Sequence, residues 1–182
     1  MLGYIIAGVV VLLVLYGISA YNGFVNLRNR VRNAWAQIDV QLKNRADLIP
    51  NLVETVKGYA SHEKETFDQV VKARSGVLNA NTPEESMEAN DMLSQALNRL
   101  MVVVEAYPEL KANTNFLSLQ NDLRDIEEKI RYSRQFYNDT VLKFNTRIQT
   151  FPNNIVAGLF GFSEEVFFRA DEGDRVAPRV QF

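Results

Sequence analysis

Between Leu2 and Tyr21 the chain carries 20 consecutive residues without a charge, LGYIIAGVVVLLVLYGISAY. Wound as a helix, such a stretch extends roughly 30 Å, the thickness of the hydrocarbon core of a bilayer. A cleaved secretory leader opens on a positively charged segment and closes on a small-x-small site. No charged side chain precedes this run, and Ser19-Ala20-Tyr21 is a poor cleavage site, so the sequence predicts a retained transmembrane anchor over residues 1–22. Tyr4, Tyr16 and Tyr21 lie near its ends, where amphipathic rings favour the membrane interface. Arg28, Arg30 and Arg32 follow the run, with Lys43 and Arg45 beyond them, whereas only the terminal amine precedes it. Because cations flanking a span are retained in the cytoplasm, a single-pass protein with its N-terminus outside and its body inside is expected.

Past Tyr21 the apolar residues recur in steps of three and four. Val31, Trp35, Ile38, Leu42, Ile49, Leu52, Val56 and Tyr59 form one stripe, and Phe116, Leu119, Leu123, Ile126, Ile130, Tyr137, Phe144 and Ile148 form another. Shorter series run through Phe67, Val70 and Val77 and through Leu93, Leu97, Leu100 and Val104. Stripes of this period belong to helices buried on one side, and no stretch alternates with period two, so strands are not expected. Thr82-Pro83-Glu84-Glu85 has the form of a helix start, with a hydroxyl cap, proline at the first position and acids at the positive end of the dipole. Tyr107-Pro108 and Pro152 mark ends, Gly58 to Ser61 offers either an end or, since the stripe continues through it, a bend within one continuous helix, and Pro50 predicts a kink inside the first helix. The expected fold class is all-α: a transmembrane helix, then an antiparallel up-and-down four-helix bundle over residues 23–152, its helices starting near 24, 61 and 83 and the last ending near Thr150. Residues 153–182, a short apolar piece and a polar tail, receive no assigned structure.

Composition removes most chemistry. With no cysteine and one histidine, His62, the chain has no thiolate metal site, no cysteine nucleophile and no Glu-x-x-His pair of a di-iron bundle. GxxxxGK[ST] and GxSxG do not occur. No catalytic residue, cofactor or metal is therefore expected, and a net charge of -2 argues against nucleic acid as a partner. His62 reads as an exposed residue at a helix start. Phe160, Phe162, Phe167 and Phe168 read as closure over the open end of the bundle, in preference to a membrane-surface patch.

Charge is distributed unevenly. Residues 22–60 carry six cations and three anions, and residues 61–128 carry six cations and thirteen anions. Folding the last helix back brings Lys129, Arg131, Arg134, Lys143 and Arg147 to the membrane-proximal half, where Lys143 and Arg147 with Arg28, Arg30 and Arg32 are candidate contacts for anionic lipid. If the first and last long helices pair antiparallel from Phe24 and Thr150, facing residue numbers add to about 173. Arg45 sits on the apolar seam, where a bare cation is costly, and this register sets Glu127 and Glu128 opposite it. The same offset pairs Asp39 with Arg134 and sets Trp35 against the Tyr137-Asn138 step.

Three blocks carry a resemblance: Trp35 to Tyr59, WAQIDVQLKNRADLIPNLVETVKGY; Tyr107 to Leu123, YPELKANTNFLSLQNDL; and Ile126 to Val141, IEEKIRYSRQFYNDTV. In these the chain resembles the LemA family of bacterial proteins over nearly its whole length, with Ser133 and Phe144 where Ala and Tyr are expected. The resemblance implies an anchor in the bacterial cytoplasmic (inner) membrane, an outside N-terminus and a cytoplasmic helical bundle, with no catalysed reaction. The function expected is a membrane-anchored scaffold that works through the lipid bilayer, through copies of itself as a homo-oligomer and through other membrane proteins. The alternative is an enzyme or enzyme subunit with an inter-helix site built on Glu, Arg and Asn.

Overall fold

A computed structural model describes residues 1–168, and the regular elements among them are all helical. In chain order they are α1 (Leu2–Lys57), α2 (Lys64–Asn79), α3 (Pro83–Glu105), α4 (Pro108–Lys111), α5 (Thr114–Gln149) and α6 (Asn153–Leu159). One helix, α1, is long and apolar enough at its N-terminal end to cross a membrane, and the residues of that window are not buried by the rest of the chain.

The separate helix start expected near Phe24 does not occur, because α1 runs unbroken for 56 residues. Nothing between Tyr21 and Phe24 can stop it: Gly23 costs a helix only about 1 kcal/mol, and no proline or capping sequence intervenes. Pro50 does not end α1 either. A proline at this position leaves the carbonyl of Ala46 without its helical donor. Arg74 of α2 supplies one, its Nε donating to the Ala46 oxygen at 2.8 Å. The chain does break after Lys57, and α2 follows as a separate helix. Thr82 caps α3, its Oγ1 accepting from the backbone N–H of Glu85, while the Glu85 carboxylate accepts from the N–H of Asn81. This reciprocal arrangement is close to the capping box and satisfies donors the helix start leaves open. Asn113 does the same for α5, accepting from the N–H of Phe116.

Two compact units are present. One consists of Met1–Ala36 and Gln135–Phe167. Its core is Phe24, Val31, Ala34, Tyr137, Val141, Phe144 and Ile148, all buried. Residues 162–167, to which the sequence assigns no structure, run without regular secondary structure against this core. Phe162 makes edge contacts with Tyr21, Phe24 and Phe144. Asn145 clamps the strip: its Nδ2 donates to the Glu165 carbonyl and its Oδ1 accepts from the Glu165 N–H, both at 2.9 Å. Tyr137 donates to the carbonyl of Val166 at 2.9 Å.

The second unit contains Gln37–Arg134. Ile38, Leu42, Ile49, Leu52 and Val56 of α1 are buried in it, as are Val70 of α2, Leu93 and Leu100 of α3, and Phe116 and Ile130 of α5. In α5, Leu119, Leu123 and Ile126 of the predicted stripe are only half-buried. Within the first unit Trp35 meets Tyr137 edge to face. Within the second, Arg45 meets Glu127 and Tyr59 meets Asn113. In each pair the residue numbers add to 172, against about 173 expected from sequence.

Candidate functional site

Arg45 occupies the one strongly polar position on the buried stripe of α1. Its side chain is 7% exposed, and Nη1 donates to Asn90 Oδ1 at 2.9 Å and to Ser94 Oγ at 3.1 Å, both on α3. Glu127 of α5 approaches Nη2 at 3.4 Å with nearly half of its side chain in solvent. A buried guanidinium is tolerable only when hydrogen bonds and an opposite charge replace water, and three side chains from two helices do so here. Asn90, fully buried, does not stand out in the sequence as a partner, since it carries no charge. The signal that would have found it is its place on the same face as Leu93 and Leu97.

Asp39 accepts from Lys43 one turn along α1, at 2.7 Å. An acid four residues before a lysine is the favourable orientation for a helical pair and needs no second element. The guanidinium carbon of Arg134 lies 4.3 Å from the ring centre of Phe168, a cation–π contact that sequence spacing does not reveal.

The five cations nominated for lipid all fall in the first unit. Arg32, Lys143 and Arg147 are exposed. Arg30 donates to Asn26 at 3.2 Å, and Arg28 lies over the Phe162 ring at 4.9 Å. Against these five cations the first unit's described residues hold three anions, Asp139, Glu164 and Glu165. Gln37–Arg134 holds twelve cations and sixteen anions, so the two units differ in sign. Asn22, Asn26, Asn29 and Asn33 line a shallow groove with Arg30 on the turns that follow the span. This polar face is visible in the sequence only as asparagines at steps of four, three and four.

Of the four C-terminal phenylalanines expected to close the core, Phe168 is buried and Phe162 half-buried, whereas Phe160 and Phe167 are largely exposed. Sequence spacing cannot separate them because α6 ends at Leu159 and the helical period lapses with it. His62 is exposed. Among the described residues no group of three or more His, Cys, Asp or Glu side chains is arranged to hold a metal ion.

The model of the LemA family matches residues 34–182. The chain is similar to the protein LemA of Metamycoplasma hominis, with 27% identity over 156 residues that cover 85% of this chain and 71% of the relative. It is similar also to the magnetosome protein MamQ of Magnetospirillum gryphiswaldense, at 24% identity, covering 88% of this chain and 70% of that protein. The magnetosome protein MamQ 2 of Paramagnetospirillum magneticum is 25% identical, over 82% of this chain and 64% of its own length.

Proposed function

The chain belongs to the LemA family, and on that premise we propose that it is a membrane-anchored helical scaffold, acting through protein–protein and protein–membrane contacts as a homo-oligomer. Its body is an antiparallel up-and-down bundle of α1, α2, α3 and α5, held in the cytoplasm beneath the inner membrane with the N-terminus outside. The observation that carries this reading is α1, whose apolar, unburied N-terminal third continues without interruption into a stripe that packs against other helices. The surroundings of Arg45 support a structural role for the Glu, Arg and Asn side chains between helices, since they engage one another. Light scattering on the full-length chain eluting in detergent tests the oligomer: a protein mass that is a multiple of 20.7 kDa is expected, and a mass of one chain overturns it.

A further inference from the structure

The last hydrophobic segment of the described chain returns to the membrane span. Tyr16, five residues inside the apolar run from Tyr21, donates from its hydroxyl to Asn153 Oδ1 at 2.7 Å. Asn153 is 5% exposed, so α6 begins roughly 7 Å along the span from its end. From there α6 follows α1 further: Val10, Val14 and Ile18 on one side and Val156 and Leu159 on the other line an apolar groove of about 510 Å³. Val10 lies eleven residues before Tyr21, roughly 16 Å along the helix and about one leaflet's depth of hydrocarbon. Tyr21 and Phe160 meet edge to face at 4.9 Å.

The outward side of this segment is apolar and uncovered. Phe151, Ile155 and Leu159, four residues apart, are 75%, 62% and 78% exposed. No charge falls between Arg147 and Glu164, so the segment is uncharged over its length and bracketed by ions. Water-facing surfaces rarely leave such a patch bare. This one is continuous with the exposed face of the span. The Tyr16–Asn153 bond also satisfies a hydroxyl and an amide oxygen against each other, which a polar group inside hydrocarbon requires.

We propose that residues 151–160 are a second membrane element, inserted without crossing into the leaflet nearer Tyr21, and that phospholipid acyl chains cover its outward face and fill the groove against α1. The proposal rests on the reading of α1 as a membrane span. Because the chain lacks cysteine, single substitutions place an environment-sensitive fluorophore without further changes. Ile155→Cys and Leu159→Cys report on α6, Leu13→Cys on the span, and Lys72→Cys on an exposed position of α2. Full-length labelled protein is reconstituted in phosphatidylcholine–phosphatidylglycerol vesicles, with mid-chain doxyl lipid as one quencher and aqueous iodide as the other. Lipid quenching at residues 155 and 159 should fall within about twofold of that at residue 13 and exceed that at residue 72 by at least about threefold, with the opposite order for iodide. Adding Ile155→Asp to the Leu159→Cys probe should return that probe to the behaviour of residue 72. Probes at 155 and 159 that behave like residue 72, while residue 13 stays lipid-quenched, overturn the inserted segment and leave the span intact. Iodide access at residue 13 overturns the span and the proposal together. Probes shielded from both quenchers that transfer energy between labelled copies identify a second chain as the cover and overturn the acyl-chain assignment.

Discussion

Arg74 donates from Nε to the carbonyl oxygen of Ala46 at 2.8 Å, the acceptor that Pro50 leaves open four residues further along α1. A side chain of α2 thus replaces a hydrogen bond internal to α1, and a sequence defect in one helix becomes a specific contact with its neighbour. The accompanying approach of Arg74 Nη2 to Asp47, at 3.9 Å with the carboxylate largely in solvent, adds little. Arg74→Ala is expected to destabilise the chain by about 1–3 kcal/mol, the cost of an open buried acceptor. In a Pro50→Ala background residue 50 regains its N–H, and the loss from Arg74→Ala should shrink by at least about 0.5 kcal/mol. Thermal or denaturant unfolding of the four variants checks this; additive effects would show that Arg74 does not serve the proline gap.

Arg45→Ala should cost about 3 kcal/mol, and Glu127→Ala no more than about 1 kcal/mol, because Glu127 is nearly half exposed and Asn90 is not. The double-mutant coupling of Arg45 with Asn90 should therefore exceed its coupling with Glu127. Equal couplings in denaturant unfolding would place the energy in the ion pair instead.

Asn145 holds the strip 162–167 through two backbone hydrogen bonds. Asn145→Ala should release it, raising cleavage by a glutamate-specific protease after Glu164 and Glu165 about tenfold, as expected if local opening becomes easier by about 1.4 kcal/mol. Unchanged cleavage kinetics would mean that Phe162 and Tyr137 hold the strip without the clamp.

Replacing Arg28, Arg30 and Arg32 together by Gln should yield mixed topology. A reporter active only in the cytoplasm, fused after Phe182, should lose a substantial part of its signal while a secretion-dependent reporter gains it. Retention of a single orientation would assign the topology to charges other than these three.

The long apolar stripes were legible because burial on one side of a helix leaves a period that spacing alone reveals, and Ile38, Leu42, Ile49 and Leu52 are buried where that period puts them. The cap at Thr82 was legible for a similar reason, since its chemistry is confined to four adjacent residues. Partners across helices were harder. A charge on a seam advertises its need for an opposite charge, so Arg45 points to Glu127 and Glu128, of which Glu127 is the one met, whereas neutral Asn90 is marked only by sharing a helical face with Leu93 and Leu97. The carbonyl of Ala46 is invisible to any reading of side chains, and Arg74 with it. Asn145 and Asn153 were missed because asparagine in a helix ordinarily signals an end or a solvated face. Here Asn145 bonds a segment whose path no local period describes, and Asn153 bonds Tyr16 inside an apolar run that offers no cue for a polar partner.

Because α1 is one helix from Leu2 to Lys57, the azimuth of its membrane portion is geared to its packed portion. Each residue advances about 100°, so the side on which Tyr16 and Ala20 lie is fixed by the side on which Phe24 and Val31 are buried. Inserting one residue after Gly23 would turn the membrane portion by about a quarter circle and carry Tyr16 away from Asn153, whereas seven residues would nearly restore the phase. If α1 spans the bilayer as proposed, it acts as a keyed shaft rather than a tether: any neighbour in the bilayer that selects one side of it also selects the rotational setting of the first unit's packed helices.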